Sequence, residues 1–233
     1  MGGLAGHMSH VHEDLNLTFN QIVELMTQLS TGKIVPVEKV DGQNIYFRHD
    51  IDEGVTKFAR NKSHFNLGGL TRQQMVEDFE RKKKPGDEKY QTVIDTYDKG
   101  MNVIEAGMNA CTPEILEACF GNQYNYVNAE LMTPGKENVV IYDGSYIVLH
   151  MIDIMDPYFT KLSQEDPDQF EIEISEVDTA ARTAFSKLVS VVENIEDENA
   201  IQDWSIKGPA VIDLINLAEG DTLNKHIGKI EDY

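Results

Sequence analysis

Between residues 90 and 154 the apolar residues change period, and that change restricts the fold more than any other feature of the chain. From 90 to 108, Val93, Ile94, Tyr97, Met101, Ile104 and Met108 recur at the spacing of one face of a long helix. Thr112-Pro113-Glu114 then supplies a cap residue and a first-turn proline for another helix. Beyond it the pattern alternates or runs apolar over 124–132, 138–142 and 146–154, with Pro134-Gly135 and Asp143-Gly144 between the segments. Alternation buries one face of a strand, so this region predicts a three-stranded meander. Both periods within one stretch predict a mixed α+β fold, with helices inserted between antiparallel strands.

The flanking segments fit that class. Phe19, Ile22, Val23, Leu25, Met26 and Leu29 predict an amphipathic helix over 18–30, capped by Asn16 or Thr18 and ended by Thr31-Gly32. A hairpin is expected next: a strand over 34–39 with Pro36 marking an edge position, a turn at Asp41-Gly42, and a strand over 44–48. A further helix is expected over 70–84. Residues 170–174 read as a strand and 178–194 as a helix. The expected division is a core over 1–160 and a continuation of it over 161–233 that carries a helical insertion.

Charge narrows the function. Asp and Glu number 40 against 20 Lys and Arg, a formal net charge of -20. Non-specific grip on nucleic acid needs basic surface to displace counterions, so only a local basic groove is compatible with such a partner. The densest basic run, Arg81-Lys82-Lys83-Lys84, reads first as a solvated helix end and second as a phosphate contact. No stretch is apolar for long enough to span a bilayer, and residues 1–8 lack the pattern of a secretory signal, so a cytoplasmic protein is expected. Cys111 and Cys119 fit no zinc spacing and read as buried thiols. His7, His10 and His12 are too loosely spaced to predict a metal site.

One short motif carries chemistry. Glu38-Lys39-Val40-Asp41-Gly42-Gln43-Asn44 resembles the first motif of the RNA-ligase branch of the covalent nucleotidyltransferase superfamily, which also holds DNA ligases and capping enzymes. Taken alone it also reads as a hairpin with a surface lysine. Three later segments follow in the family's order. Phe58-Ala59-Arg60-Asn61-Lys62-Ser63 is similar to the next motif, an arginine in a small polar loop. Tyr126-Val127-Asn128-Ala129-Glu130-Leu131 resembles the third, a strand carrying a glutamate. Tyr146-Ile147-Val148-Leu149-His150 stands where the family has a strand opening on an aromatic residue. The first eight residues, running into an apolar helix and then this motif, also resemble ligase-like proteins of large tailed phages. The host cytoplasm is the location that this implies.

The resemblance implies an antiparallel-sheet nucleotidyltransferase core, ATP-grasp-like, and a defined set of roles. Lys39 is the nucleophile that takes AMP from ATP, with Mg²⁺ or Mn²⁺, before RNA or DNA ends are joined. Asp41 orients Lys39 or metal-bound water. Glu38 reaches the base edge, and Gly42 lets backbone approach the nucleotide. Arg60 binds ribose or phosphate, Glu130 binds the ribose hydroxyl or orients metal-bound water, and Tyr146 stacks on adenine. Each has a plainer alternative: Arg60 an ion-pair partner, Glu130 a solvent-facing strand residue, Tyr146 core or rim, His150 a satisfied buried histidine. The family pattern also needs a Glu-Gly before an apolar strand and a strand with paired lysines. Glu219-Gly220 precedes Asp221-Thr222, and Lys225 and Lys229 stand at helical spacing, so neither fits. A chain that stops before the final motifs, or one that has altered its catalysis, would explain this.

Overall fold

The computed structural model describes residues 18–31, 33, 42–134, 144–154, 167–195 and 203–208. Among these, five strands form one sheet: β1 (Gln43–Asp50), β2 (Val55–Ala59), β3 (Asn125–Met132), β4 (Ser145–Ile154) and β5 (Trp204–Lys207). The order is β2-β1-β3-β4-β5, antiparallel except for the parallel β4–β5 pair. Six helices accompany it: α1 (Phe19–Ser30), α2 (Lys62–Asn66), α3 (Arg72–Lys82), α4 (Glu88–Ala110), α5 (Pro113–Phe120) and α6 (Pro167–Val192). The expected mixed α+β class is what the chain adopts.

Strand alternation divides the sheet into two unlike faces. Ile45, Phe47, Phe58, Val127, Ala129, Leu131 and Ile147 point to one face and join Met75, Tyr97, Met101, Ile104, Phe120 and Leu188 in the main core. Trp204 and Ile206 of β5 and Ala184 and Phe185 of α6 belong to the same core, so the segment beyond residue 160 completes the first layer rather than standing apart. On the opposite face Tyr46, Ala59 and Tyr126 gather around Phe65 of α2. Their rings meet edge to face, with centroids 5.3 Å apart for Tyr46–Phe65 and 5.0 Å for Phe65–Tyr126.

Local sequence accounts for the helix starts. Thr18 with Gln21, and Thr71 with Gln74, form reciprocal capping boxes that satisfy orphan amides of α1 and α3. Asp87 caps α4 by accepting from the Tyr90 amide, and Pro113 occupies the first turn of α5. Cys111 and Cys119 are free and buried, and burial pushes their thiols up to about 11 and about 12. They are core residues rather than nucleophiles.

Two expectations change, the strand over 170–174 and the order of the meander. Residues 170–174 lie inside the continuous helix α6. In the sequence Phe170 and Ile174 stand four apart, a spacing that also suits a helix, and the alternating glutamates supplied the false strand signal. The meander is not three strands in a row, because β3 and β4 are direct hydrogen-bonded neighbours. Its expected middle segment, 138–142, lies outside the described residues, as does the expected strand over 34–39. β1 pairs with β2 through a tight turn in which Gly54 takes φ +64°. That short strand and β5 are each only a few residues long, and neither was expected.

No helix among the described residues is long and apolar enough to cross a membrane.

Candidate functional site

The site grows from the place where β1 begins against the end of β3. Gly42 precedes β1, and Gln43 and Asn44 pair with Leu131 and Glu130. A Cβ on Gly42 would stand 2.3 Å from Met132 Sδ and 2.7 Å from the Leu131 carbonyl oxygen, so only glycine permits this approach. The Gly42 amide then donates to Glu130 Oε2 at 2.8 Å. A carboxylate accepting a backbone N–H is among the stronger protein hydrogen bonds. Through it the end of the first motif meets the glutamate of the third.

Alternation puts Asn44, Asn128, Glu130 and Met132 on the face away from the main core. Tyr146 pairs with Met132, and Val148 with Glu130, so β4 extends the same surface. The Asn44 side-chain amide donates to Asn128 Oδ1 at 2.6 Å, fixing one amide against the other. Met132, Val148 and Tyr146 make an apolar strip beside these polar groups. The arrangement is a half-buried polar surface with an aromatic edge, suited to a ligand that has both charge and a planar apolar part.

Lys207 was missed in the sequence. β5 runs parallel to β4, and Lys207 pairs with Val148, so its ammonium lies 3.8 Å from the centre of the Tyr146 ring. That is a close cation–π contact. The available signal was the alternation Trp204, Ser205, Ile206, Lys207, buried-exposed-buried-exposed, just before Gly208. Four residues in an irregular tail are too few to read as a strand unaided.

Arg60 stands differently from its expected partners. It follows β2, and its guanidinium lies 4.4 Å from the Tyr97 ring centre and 5.8 Å from that of Phe79, on the helix side of the sheet. The Tyr97 hydroxyl donates to the Asn44 carbonyl at 3.2 Å. Burial drives the Tyr97 pKa upward, the Arg60 charge opposes this and the Glu130 charge adds to it. Arg60 and Glu130 therefore act on one buried phenol from opposite sides of the sheet end. The structure gathers Gly42, Glu130 and Tyr146 on one face and leaves Arg60 behind them. Glu38, Lys39 and Asp41 lie outside the described residues, as do His7, His10 and His12. Among the described residues no group of three or more His, Cys, Asp or Glu side chains is placed to hold a metal.

His150 is the extra residue of a bulge in β4: Leu149 faces Ala129 and Met151 faces Asn128. It is buried, as a core histidine should be, but neither ring nitrogen has a hydrogen-bond partner among the described residues. Burial holds its pKa below the ordinary 6.5. His49 and His64 are also held low, first by burial, with Asp50 and Asp78 respectively working against the shift. As pH falls, the unfolded chain takes up these protons before the folded one. Stability is therefore full above about 6.5 and declines below it. The contributions of Asp50 and Asp78, whose carboxyls are held below their ordinary 3.8, persist until far more acid pH. The urea midpoint should be lower at pH 5.5 than at pH 7.5, and His150→Leu should remove part of that drop. Equal midpoints would contradict the buried neutral histidines.

Compared with known proteins, the chain matches no family model, no curated protein and no solved structure.

Proposed function

We propose that the chain is a covalent nucleotidyltransferase of the polynucleotide-ligase type. The neutral amine of Lys39 attacks the α-phosphorus of ATP, an N–P bond forms, the bond to pyrophosphate breaks, and AMP stays on the lysine for transfer to an RNA or DNA end. An ordinary lysine is protonated at neutral pH, so the reaction needs cations that offset the triphosphate charge and favour the free amine. The observation that carries the reading is the 2.8 Å hydrogen bond from the Gly42 amide to Glu130. It brings together two residues 88 positions apart to which the resemblance assigns roles at one nucleotide.

The neighbouring groups suit the roles. Glu130 stands beside the first motif, where a carboxylate can contact ribose or hold metal-bound water. Mg²⁺ commonly takes only one or two protein carboxylates and fills its remaining positions with phosphate oxygens and water, so a dedicated cage is not required. Tyr146 offers a ring for the base, with Lys207 lying over one side of it. Lys207 is also a strand-borne lysine of the kind that the family pattern calls for late in the chain, although it stands singly. In this reading Arg60, packed on Tyr97, acts from behind the sheet end. Asp41 and Glu38 keep the roles that the first motif implies.

A second reading has its own support. The net charge of -20, together with the missing Glu-Gly strand, favours a catalytically silent ligase-like binding or structural protein, of the kind a phage could encode. Incubation with labelled ATP and Mg²⁺ or Mn²⁺ separates the two. The enzyme reading expects an acid-labile, hydroxylamine-sensitive label on the wild-type protein and none on Lys39→Ala. Absence of label with both ATP and GTP would leave the silent binding protein.

A further inference from the structure

A buried imidazole and two carboxylates come together at the end of β1 that lies away from Gly42. His49, the next-to-last residue of the strand, is 7% exposed. Alternation puts it on the side of Ile45 and Phe47, facing the helices. Its Nδ1 lies 3.4 Å from Oγ1 of Thr56, the residue opposite it on β2. Its Nε2 has no hydrogen-bond partner among the described residues. Unlike the ring nitrogens of His150, that atom is not sealed from solvent.

His49 opens onto a pocket of about 490 Å³ between β1 and α5, whose other lining residues are Ile51, Pro113, Glu114, Leu116 and Glu117. Three of these are apolar, two are carboxylates and none is a cation. The Glu117 side chain makes no hydrogen bond or ion pair among the described residues, and it folds back along α5 toward Gly121. The Thr112 hydroxyl and the backbone amide of Glu114 hold the Glu114 carboxyl below its ordinary 4.5, so it too is ionised at neutral pH. The cations nearest along the strands are already engaged: Arg48 binds Asp50, and Lys57 binds Asp50 and Glu53. Burial keeps the His49 ring neutral against the pull of Asp50. The pocket therefore presents negative charge, one neutral ring nitrogen and an apolar wall, with no counter-ion of its own.

We infer that this pocket binds a small primary amine in its ammonium form, with N–H groups directed to Glu117 and Glu114 and an apolar stem on Ile51, Pro113 and Leu116. Its volume falls in the range of small-molecule sites, about 300–1,000 Å³. An ammonium selects one tautomer of His49: Nδ1–H donates to Thr56 Oγ1, and Nε2 accepts an ammonium N–H. Charge-assisted bonds to the two glutamates are the stronger contacts. An anion would meet two carboxylates, and a neutral apolar molecule would leave the polar side of the pocket without a partner. Gly42 and His49 stand at opposite ends of β1, so this site is separate from the candidate nucleotide site and independent of the role of Lys39.

Titration of the full chain with phenethylamine at pH 7.5, followed by two-dimensional NMR, tests this. The His49 ring and Ile51 methyl signals should shift together and saturate with one Kd. Phenethyl alcohol, which has the same shape without the charge, should bind about tenfold more weakly. E114Q/E117Q should weaken the amine about tenfold, the sum of two modest ion pairs. H49F keeps a ring but offers no acceptor, and should cost about fivefold. E77Q/E80Q removes the same charge from exposed positions on α3 and should bind like wild type. Equal loss in the two glutamine pairs would reduce the effect to net charge and overturn the proposal. So would equal affinity for the alcohol, or an amine titration that leaves the His49 and Ile51 signals unmoved. A Gly-Lys-Gly peptide that binds more tightly than the free amine would overturn it too, by placing a partner protein's lysine in the pocket.

Discussion

Replacing Arg48 with methionine is expected to lower the free energy of unfolding by about 3–5 kcal/mol. Arg48 is 5% exposed and lies on the non-core face of β1. Its fork makes three bonds that no single ammonium could make: Nε to the Gly68 carbonyl at 3.1 Å, Nη1 to the Gln123 carbonyl at 3.0 Å, and Nη2 to Asp50 at 2.9 Å. Methionine keeps much of the volume but strands two carbonyls and takes a cation from Asp50. Lys57 still reaches Asp50 at 2.9 Å, which places the cost within the range rather than above it. Burial opposes the charge on Asp50, yet Lys57, the Glu53 amide and Arg48 together hold its pKa low, so the carboxylate stays ionised and feels the loss. Arg48→Lys should recover little, because the fork geometry is the point. As a contrast, Arg72 binds Asp98 and Glu105 at 2.9 Å each but is 35% exposed, and Arg72→Met should cost within about 1 kcal/mol. Urea titration at pH 7.5 reads both, as a shift in midpoint at constant slope. An Arg48→Met protein as stable as Arg72→Met would mean that the Arg48 clamp is not formed.

The clamp shows why parts of this fold were legible in the sequence and parts were not. Long periodic segments carried their own signal: α4 and α5 lie where Val93 to Met108 and Thr112-Pro113 indicate, and β3 and β4 where alternation indicates. Capping chemistry was equally local, and Thr18 caps α1 as its position suggests. Pairings were not local. Nothing near β1 says that Val55–Ala59 is its neighbour, because five residues give barely two turns of alternation. Phe170 to Ile174 satisfied both periods at once, and only the 26-residue span of α6 decides for helix. Of the candidate site, the order of Gly42, Arg60, Glu130 and Tyr146 was readable. That Glu130 and Tyr146 share a face follows from the β3–β4 register. That Arg60 stands on the other face follows from β2, and that Lys207 joins Tyr146 follows from β5. Both depend on strands too short to announce themselves.

Gly42→Ala is expected to have the largest effect on function of any change at a described residue. The motif that contains Gly42 invites the view that a turn needs its backbone freedom, yet the structural reason is space. The added methyl would meet Met132 Sδ at 2.3 Å and the Leu131 carbonyl oxygen at 2.7 Å. The thioether can swing aside, but the carbonyl belongs to β3 and cannot move without disturbing its pairing with Gln43. The start of β1 must therefore lift away, lengthening the bond from the Gly42 amide to Glu130. Forcing a methyl into such a contact costs about 1–3 kcal/mol. A displacement near 1 Å in a group that positions a reactant lowers rates by roughly 10²-fold. If Lys39 carries AMP, Gly42→Ala should cut the rate of self-labelling by about that factor, with only a modest drop in Tm. Adding Met132→Ala should restore little, since the backbone contact remains. Gly54→Ala separates space from conformation: a Cβ there meets nothing within 4 Å but sits at φ +64°. That variant should lose about 1–2 kcal/mol of stability from the left-handed backbone and label at the wild-type rate. Wild-type labelling by Gly42→Ala would show that the contact between Gly42 and Glu130 has no part in placing the lysine.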